Sequence, residues 1–203
     1  EWGVLALIIL FQPEIRRILA MVGAFGFLER PKHSPDGSAT PGLVTDTIVA
    51  LSERRIGALI AFERGISLRG YEDTGVALNA TFSRELVESV FTPPLPLHDG
   101  GMTVRAGRIA AAHCVFPVSN NPDLSGSGMR HRAAVGLSEE TDALVVVVSE
   151  ESGAVSVAHN GKLLRYTGEQ RAQSLLRWIT KASPNDRRSG PIMNKLHNLL
   201  LKG

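Results

Sequence analysis

The sequence predicts a mixed α/β fold, in which a central mixed β-sheet is surrounded by α-helices. Three observations predict this class. Residues 144–148 are a leucine followed by four valines, a composition typical of a central strand. Asn160-Gly161 lies between two strand-like segments and is a strong hairpin signal, and Arg105-Ala106-Gly107 separates two more. Segments with helical spacing alternate with these strands, so we expect helices to wrap the sheet.

Local signals place the other elements in order. The first half contains a helix over 43–56 ended by Gly57, a buried strand over 58–62, and a helix that Ser83 can cap and that runs to Phe91. The second half adds two hairpins and two helices: strands 102–104 and 108–116, a helix over 130–137, strands 154–158 and 162–166, and a helix over 169–181.

The composition divides the chain into four segments. Residues 1–28 form an N-terminal helical segment, and residues 29–42 hold three prolines and two glycines, which is typical of an exposed linker. Residues 43–182 form the main domain, and residues 183–203 form a polar tail with a short helix. The whole chain has 43% hydrophobic and 21% charged residues, which is ordinary for a globular protein and excludes wholesale disorder.

The N-terminal segment points to a membrane. Trp2 to Phe11 is a run of ten uncharged residues, which is too short to cross a bilayer and lacks the features of a signal peptide. Since the chain begins with Glu1, we interpret it as a fragment that starts at the cytoplasmic end of a transmembrane helix. Arg16 and Arg17 suit a cytoplasmic flank, so we expect a cell-membrane protein with a cytoplasmic catalytic domain. An ordinary buried helix is the alternative.

Charge and cysteine content exclude other classes. The 22 basic and 20 acidic residues leave a net charge of +2, and no long basic stripe occurs, so nucleic acid is not an expected partner. Cys114 is the single cysteine, so no intramolecular disulfide can form, which fits a reducing cytosol. Its place in an apolar run favours a buried strand residue over a nucleophile.

Two motifs carry candidate chemistry. Asp99 lies in a flexible turn before Gly100 and Gly101, where its carboxylate can hold a metal or take a proton, and His98 is a metal-binding partner. Arg130-His131-Arg132 follows a glycine-rich loop at an expected helix start, where backbone N–H groups and arginine forks favour phosphate. Arg130 and Arg132 cannot face one way on a helix, so one can bind phosphate while the other anchors the loop.

Ser149-Glu150-Glu151 follows the valine strand directly, at an edge where sites in α/β proteins often gather. Each motif also has a simpler interpretation: a common Asp-Gly turn, a solvated basic turn, and a strand-to-turn transition. Taken together, the motifs place an acid opposite a phosphate-binding cluster, and this combination is what nucleotidyl transfer requires.

The segments PLHDGG, GMRHRAAVGLSE and DALVVVVSEESGAVS resemble the signature blocks of the diadenylate cyclase family, the DisA_N or DAC domain. The resemblance extends from about Leu43 to Leu163, in the same order and with similar spacing. The N-terminal FQPEIRR resembles the membrane-anchored CdaA-type branch. Members of this family join two ATP molecules into cyclic di-AMP, so the resemblance implies that activity and a DisA_N-like fold.

The resemblance also implies roles for individual residues. Asp99 would activate the ribose 3′-hydroxyl for attack on the facing α-phosphate. For the nucleotide, the resemblance implies that the pocket is lined by Gly100 and Gly101 and that adenine is recognised by the backbone at Phe116. The triphosphate would be held by Arg130, His131 and Arg132 beside Met129, and the phosphates would be approached by Ser149 and Glu150. The implied ligands of Mg²⁺, Mn²⁺ or Co²⁺ are His98, Asp99 and Glu151. A homodimer is implied, because each ATP attacks the other, as are a membrane regulator and a phosphoglucosamine mutase as partners.

Two positions depart from the family pattern. Gly101 replaces the usual alanine, a change expected to add backbone freedom and alter little chemistry. Met129 replaces a threonine whose hydroxyl could donate to phosphate, and a thioether is at best a weak acceptor. If such a bond were made only in the transition state, its loss would slow the reaction by roughly tenfold to a hundredfold. The alternatives to an active cyclase are an ATP-binding or scaffold protein of the same fold and an unrelated phosphate-handling enzyme.

Overall fold

One mixed β-sheet organises the chain in a computed structural model that describes residues 39–124, 126–166, 174–175 and 179. Seven strands occur within these ranges: β1 (Ala58–Phe62), β2 (Val76–Thr81), β3 (Gly101–Arg105), β4 (Arg108–Cys114), β5 (Leu144–Val148), β6 (Val155–His159) and β7 (Lys162–Tyr166). Their order in the sheet is β2-β4-β3-β1-β5-β6-β7. β1 and β3 pair in parallel and the other neighbours pair antiparallel, which confirms the predicted mixed sheet.

Helices cover both faces of this sheet. The described ranges contain α1 (Pro41–Glu53), α2 (Arg69–Glu72), α3 (Arg84–Phe91), α4 (Met129–Glu140) and a 3₁₀ turn at Pro122–Leu124. α1 and α3 pack with one another on one face, and α4 packs on β5 and β6 on the other. None of the helices in these ranges has the length and apolar character needed to span a bilayer.

Alternating side chains of the central strands form two separate cores. On β1, Ile60 packs into the cluster with α1 and α3, whereas Leu59 packs into the cluster with α4. On β5, Val146 and Val147 divide in the same way. Successive strand residues point to opposite faces, so a strand in the middle of the sheet must be apolar throughout. Each fully buried Leu, Ile or Val contributes about 1.5–3 kcal/mol to this packing.

Most predicted elements are confirmed with small shifts at their ends. The strands 58–62 and 144–148 occur as predicted, and Ser83 caps α3, its hydroxyl oxygen accepting from the Leu86 N–H at 3.3 Å. α1 begins earlier than predicted, because Thr40 caps it and Pro41 occupies its first turn. The last two residues of the predicted linker 29–42 therefore belong to a helix. α4 starts at Met129 and extends to Glu140, beyond the predicted 130–137.

Three elements of the described chain, β2, α2 and the 3₁₀ turn at Pro122–Leu124, have no counterpart in the sequence prediction. β2 is an edge strand with a register shift between Ala77 and Ala80, and Asn79 there has a φ of 47°, so its residues lack a clear alternation. α2 is a single turn of four residues. The predicted segments 1–28 and 183–203 and most of the predicted helix 169–181 lie outside the described residues.

The packing of α4 predicts that Gly136→Ala destabilises the protein. A Cβ at Gly136 would touch the carbonyl oxygen of Pro117 and lie 2.8 Å from the amide nitrogen of Ser119. Alanine favours a helix over glycine by ~1 kcal/mol, but overpacking against backbone costs about 1–3 kcal/mol and requires the two segments to separate. We expect urea unfolding to show a lower free energy of unfolding. Gly42→Ala is the control, because no atom lies within 4 Å of its Cβ position; equal effects of both changes would contradict the prediction.

Candidate active site

A pocket of about 270 Å³ lies where the end of β4 meets the start of α4. Five of the predicted site residues line it: Asp99, Gly100, Phe116, Met129 and Arg130. The other lining residues are Leu59, His113, Cys114, Val115, Val118 and Ala133. The structure thus brings the predicted acid and one predicted arginine to the same pocket, although thirty-one positions separate them in the chain.

The Asp99 turn has the geometry that the glycines were predicted to allow. Gly100 has a φ of +80°, a left-handed conformation that favours glycine, and the Asp99 Oδ1 atom accepts the Gly100 N–H at 3.0 Å. A Cβ on Gly100 would lie 2.8 Å from the carbonyl oxygen of Cys114. The turn therefore packs closely on the end of β4, and the exposed Asp99 carboxylate stays open to a ligand.

His98 is part of the turn before Asp99. Its Nδ1 lies 2.6 Å from the carbonyl oxygen of Leu95. A carbonyl only accepts, so Nδ1 carries a proton, and in the neutral imidazole Nε2 has a lone pair that can bind a metal ion. No group of three or more His, Cys, Asp or Glu side chains in the described chain could hold a metal ion, so His98, Asp99 and Glu151 are not gathered into one site. Asp99 and its neighbour His98 would suit Mg²⁺ or Mn²⁺ if phosphate oxygens and water supplied most of the ion's other ligands.

Arg130 is the arginine that reaches the pocket. Its Nη1 donates to the Glu150 Oε2 at 2.7 Å, and its Nε is buried without a hydrogen-bond partner. Gly128, the N-cap of α4, provides no side-chain cap for the first turn of the helix. A buried N–H without a partner is costly unless a ligand accepts from it. The start of α4 therefore offers unused donors to an anion.

Arg132 anchors a loop, which is the role that the sequence analysis expected for one of the two arginines. Its Nε and Nη2 donate to the carbonyl oxygen of Ser119 at 3.3 and 3.2 Å, and the Ser119 N–H donates to the Arg132 carbonyl oxygen at 3.0 Å. Arg132 is not among the residues that line the pocket. Its guanidinium holds the loop after β4 against α4.

His131 is not among the residues that line the pocket, and it lies near Arg165 of β7. Burial lowers the pKa of its imidazole, the nearby Arg165 lowers this pKa further, and Glu151 opposes the shift. The neutral form of His131 is therefore favoured at neutral pH. The family resemblance implied that all three residues hold the triphosphate, whereas only Arg130 of the three lines the pocket.

The residues after β5 divide between structure and site. The Ser149 hydroxyl oxygen accepts the Ser152 N–H at 3.3 Å, so Ser149 stabilises the turn before β6. Glu150 pairs with Arg130, and Glu151 lies near His131. Glu150 is therefore the member of this motif that is connected to the pocket.

The Phe116 ring occupies the space that an alanine side chain at position 101 would need. A Cβ on Gly101 would touch the Phe116 Cε2 and lie 2.7 and 2.8 Å from Cζ and Cδ2. The ring also packs edge-on against Tyr71, with centroids 6.1 Å apart and planes at 87°. Gly101 therefore provides room for Phe116 rather than backbone freedom, and alanine would be accommodated only if the ring moved.

Cys114 and Met129 differ in exposure. Burial raises the pKa of the Cys114 thiol to about 11, with Glu72 adding repulsion, so the thiolate is disfavoured. This agrees with the prediction of a buried strand cysteine. Met129 is 63% exposed at the first position of α4, and it is one of the residues that line the pocket.

The sequence analysis missed His113, whose Nδ1 lies 2.9 Å from the carbonyl oxygen of Asp99. A single histidine near the end of an otherwise apolar strand was the available signal. Val115 and Val118 were also missed, and both are exposed apolar residues at the pocket.

Comparison with known proteins assigns this chain to a family. The family model for DAC, the DisA bacterial checkpoint controller nucleotide-binding family, matches residues 45–163. Cyclic di-AMP synthase CdaA of Bacillus subtilis is 44% identical over 188 residues, which are 91% of this chain and 69% of that protein. A diadenylate cyclase of Listeria monocytogenes is 39% identical over 183 residues, which are 86% of this chain and 65% of that protein.

Solved structures agree with this assignment. A double-cysteine variant of DacA from Staphylococcus aureus superposes with a TM-score of 0.67 at 42% identity, covering 70% of this chain and 93% of that one. A hypothetical membrane spanning protein from Bacillus cereus superposes with a TM-score of 0.61 at 41% identity, covering 66% of each chain. The predicted family and fold are confirmed: this chain belongs to the DAC family of diadenylate cyclases and is of the CdaA type.

Proposed function

We propose that this chain joins two ATP molecules into cyclic di-AMP and releases two pyrophosphates. The observation that carries the proposal is the pocket lined by both the Asp99 turn and Arg130, in a chain of the DAC family. A carboxylate that can take a proton and a guanidinium that matches phosphate oxygens are the groups that nucleotidyl transfer needs. The Bacillus subtilis and Listeria monocytogenes relatives, whose names state this activity, support it.

In the proposed reaction, the 3′-oxygen of one ATP forms a bond to the α-phosphorus of the other. The bond from that phosphorus to the oxygen bridging the β-phosphate breaks, and pyrophosphate leaves with the electron pair. Asp99 takes the proton of the 3′-hydroxyl, and Arg130 donates to phosphate oxygens through the buried Nε–H that has no partner. The same step, repeated with the two nucleotides exchanged, closes the ring.

We also propose a divalent cation, Mg²⁺, Mn²⁺ or Co²⁺, as the cofactor. The Asp99 carboxylate and the free Nε2 of His98 would hold it together with the phosphates, since Mg²⁺ is commonly bound by one or two carboxylates plus substrate. When bound, the ion would neutralise charge that develops on the phosphates. Glu151 stays a predicted ligand that the described chain does not bring near these two.

A homodimer is part of the proposal, because each ATP must attack the other. The pocket rim supports it: Val115, Val118 and Met129 are 66%, 37% and 63% exposed. Exposed apolar side chains that line one pocket are typical of a surface that a ligand or a partner subunit covers. A single subunit would bind ATP but would not complete the ring.

We propose that the cyclase is attached to the cell membrane. The uncharged run from Trp2 to Phe11 supports this, as does the similarity to the hypothetical membrane spanning protein from Bacillus cereus. The catalytic domain would then face the cytoplasm. A membrane regulator and a phosphoglucosamine mutase, implied by the family resemblance, stay predicted partners.

The test of the function uses the purified chain with ATP and Mg²⁺ or Mn²⁺, followed by chromatography for cyclic di-AMP. Asp99→Asn should lower turnover by about 10²–10⁴-fold, since removal of a general base costs this much. Asp46→Asn, a change to an exposed carboxylate on α1, is the matched control and should keep full activity.

Turnover per subunit should rise with protein concentration. ATP binding without product would favour the scaffold alternative, and undiminished product from Asp99→Asn would exclude the proposed mechanism.

The two arginines should respond differently to lysine. Arg130→Lys keeps the charge but loses the guanidinium fork, so ATP affinity should fall by roughly ten- to a hundredfold with little change in stability. Arg132→Lys loses the bonds to the Ser119 carbonyl, so the free energy of unfolding should fall by about 0.5–1.5 kcal/mol. The melting temperature should fall with it. Calorimetry with ATP and thermal unfolding measure the two effects. A reversed pattern would mean that the roles are wrongly assigned.

Gly101 and Phe116 should act as a pair. Gly101→Ala forces the ring away from its place, so the free energy of unfolding should fall by about 1–3 kcal/mol and the KM for ATP should rise. Phe116→Leu in the same background removes the clashing ring atoms and should recover part of both losses. A double-mutant cycle should give a coupling of about 0.5–3 kcal/mol, whereas additive effects would show that the two residues are independent.

A further inference from the structure

His113 has an unusual backbone for a strand residue. Its φ is 59°, in the left-handed region, although it is the next-to-last residue of β4. The β3–β4 register shifts between the Thr103–Ala111 and Gly101–Cys114 pairs, so two residues of β4 lie opposite one residue of β3. This is a β-bulge, a feature that often redirects a side chain beside a functional site. Histidine is among the residues enriched at positive φ, after glycine.

The bulge contacts the Asp99 turn in two ways. The His113 Nδ1 donates to the carbonyl oxygen of Asp99 at 2.9 Å, and since a carbonyl only accepts, Nδ1 carries the proton. The backbone also makes contact, because a Cβ on Gly100 would lie 3.0 Å from the His113 carbonyl carbon and 3.2 Å from its Cα. The turn that carries the candidate base therefore rests on the bulge and is bonded to its side chain.

We propose that His113 is a positioning residue for Asp99. Its left-handed backbone turns the imidazole toward the Asp99 carbonyl, and the hydrogen bond fixes the turn that presents the carboxylate to the pocket. Both residues line that pocket. The inference rests on the proposed function, since it assigns His113 a task in the reaction that Asp99 serves.

The donor role makes His113 distinguishable from a base or a metal ligand. Nδ1 donates to the Asp99 carbonyl in both the neutral and the charged imidazole, so protonation leaves the bond intact. An asparagine Nδ2 occupies the same place along the side chain as the histidine Nδ1, and asparagine also accepts a left-handed backbone. Asparagine should therefore replace the histidine in a positioning role and in no other.

The experiment compares the wild-type chain with His113→Asn and His113→Gly. Glycine suits the left-handed backbone and removes the imidazole together with its Nδ1 donor, so the fold should persist. We expect His113→Gly to lower kcat by about ten- to a hundredfold, as misplacement of a catalytic group does, with the KM for ATP within about twofold. His113→Asn should retain wild-type kcat, and the pH profile of kcat should keep its shape in all three proteins.

A second measurement works without turnover. Hydrogen exchange of the peptide containing residues 97–101 should be at least about threefold faster in His113→Gly than in wild type or His113→Asn, with the rest of the sheet unchanged. If wild type makes no product, the proposed function fails while this measurement still decides the positioning. Unchanged exchange and kcat in His113→Gly would overturn the inference. A defect in His113→Asn equal to that of His113→Gly, with an altered pH profile, would overturn it in favour of a direct chemical role for the imidazole.

Discussion

The pocket depends on how the chain after β4 is fastened to α4. Ser119 exchanges backbone and side-chain bonds with Arg132 and donates its hydroxyl to the Glu139 carboxylate at 2.8 Å. Phe116 lies three residues before Ser119, and Arg130 lies two residues before Arg132. These bonds therefore set the distance across the pocket between the Phe116 ring and Arg130. Several weak bonds achieve this together, because each fixes a segment that the others already hold.

Local chemistry made much of the fold predictable. Residues 144–148 had to form a central strand, because five consecutive apolar residues can be buried only if both faces of the strand are covered. Asn160 and Gly161 both have positive φ, at 51° and 72°, as the turn of a tight hairpin requires. β2 was not predictable in this way, since an edge strand with an interrupted register carries no regular pattern.

The candidate site was predictable only in part. Helical spacing required Arg130 and Arg132 to face different ways, but the partner of each comes from a distant segment, Glu150 or Ser119. Nothing near Gly101 in the sequence indicates that the ring of Phe116 fills the place of its missing Cβ. The left-handed backbone of His113 likewise follows from the register of β3 against β4. Sequence patterns thus identify residue types, whereas contacts across the sheet decide their tasks.

The charges around the pocket connect the proposed cofactor to the proposed dimer. Of the three neighbours at the start of α4, Arg132 is used by a loop, the pKa of His131 is lowered by burial, and only Arg130 reaches the pocket. Even Arg130 is paired with Glu150, which a phosphate would have to displace. One guanidinium and the N–H groups of a helix start cannot balance the several negative charges of a triphosphate. Among the described residues, the pocket lining contains no other arginine or lysine, so the proposed divalent cation and the proposed second subunit would supply positive charge that Arg130 alone does not.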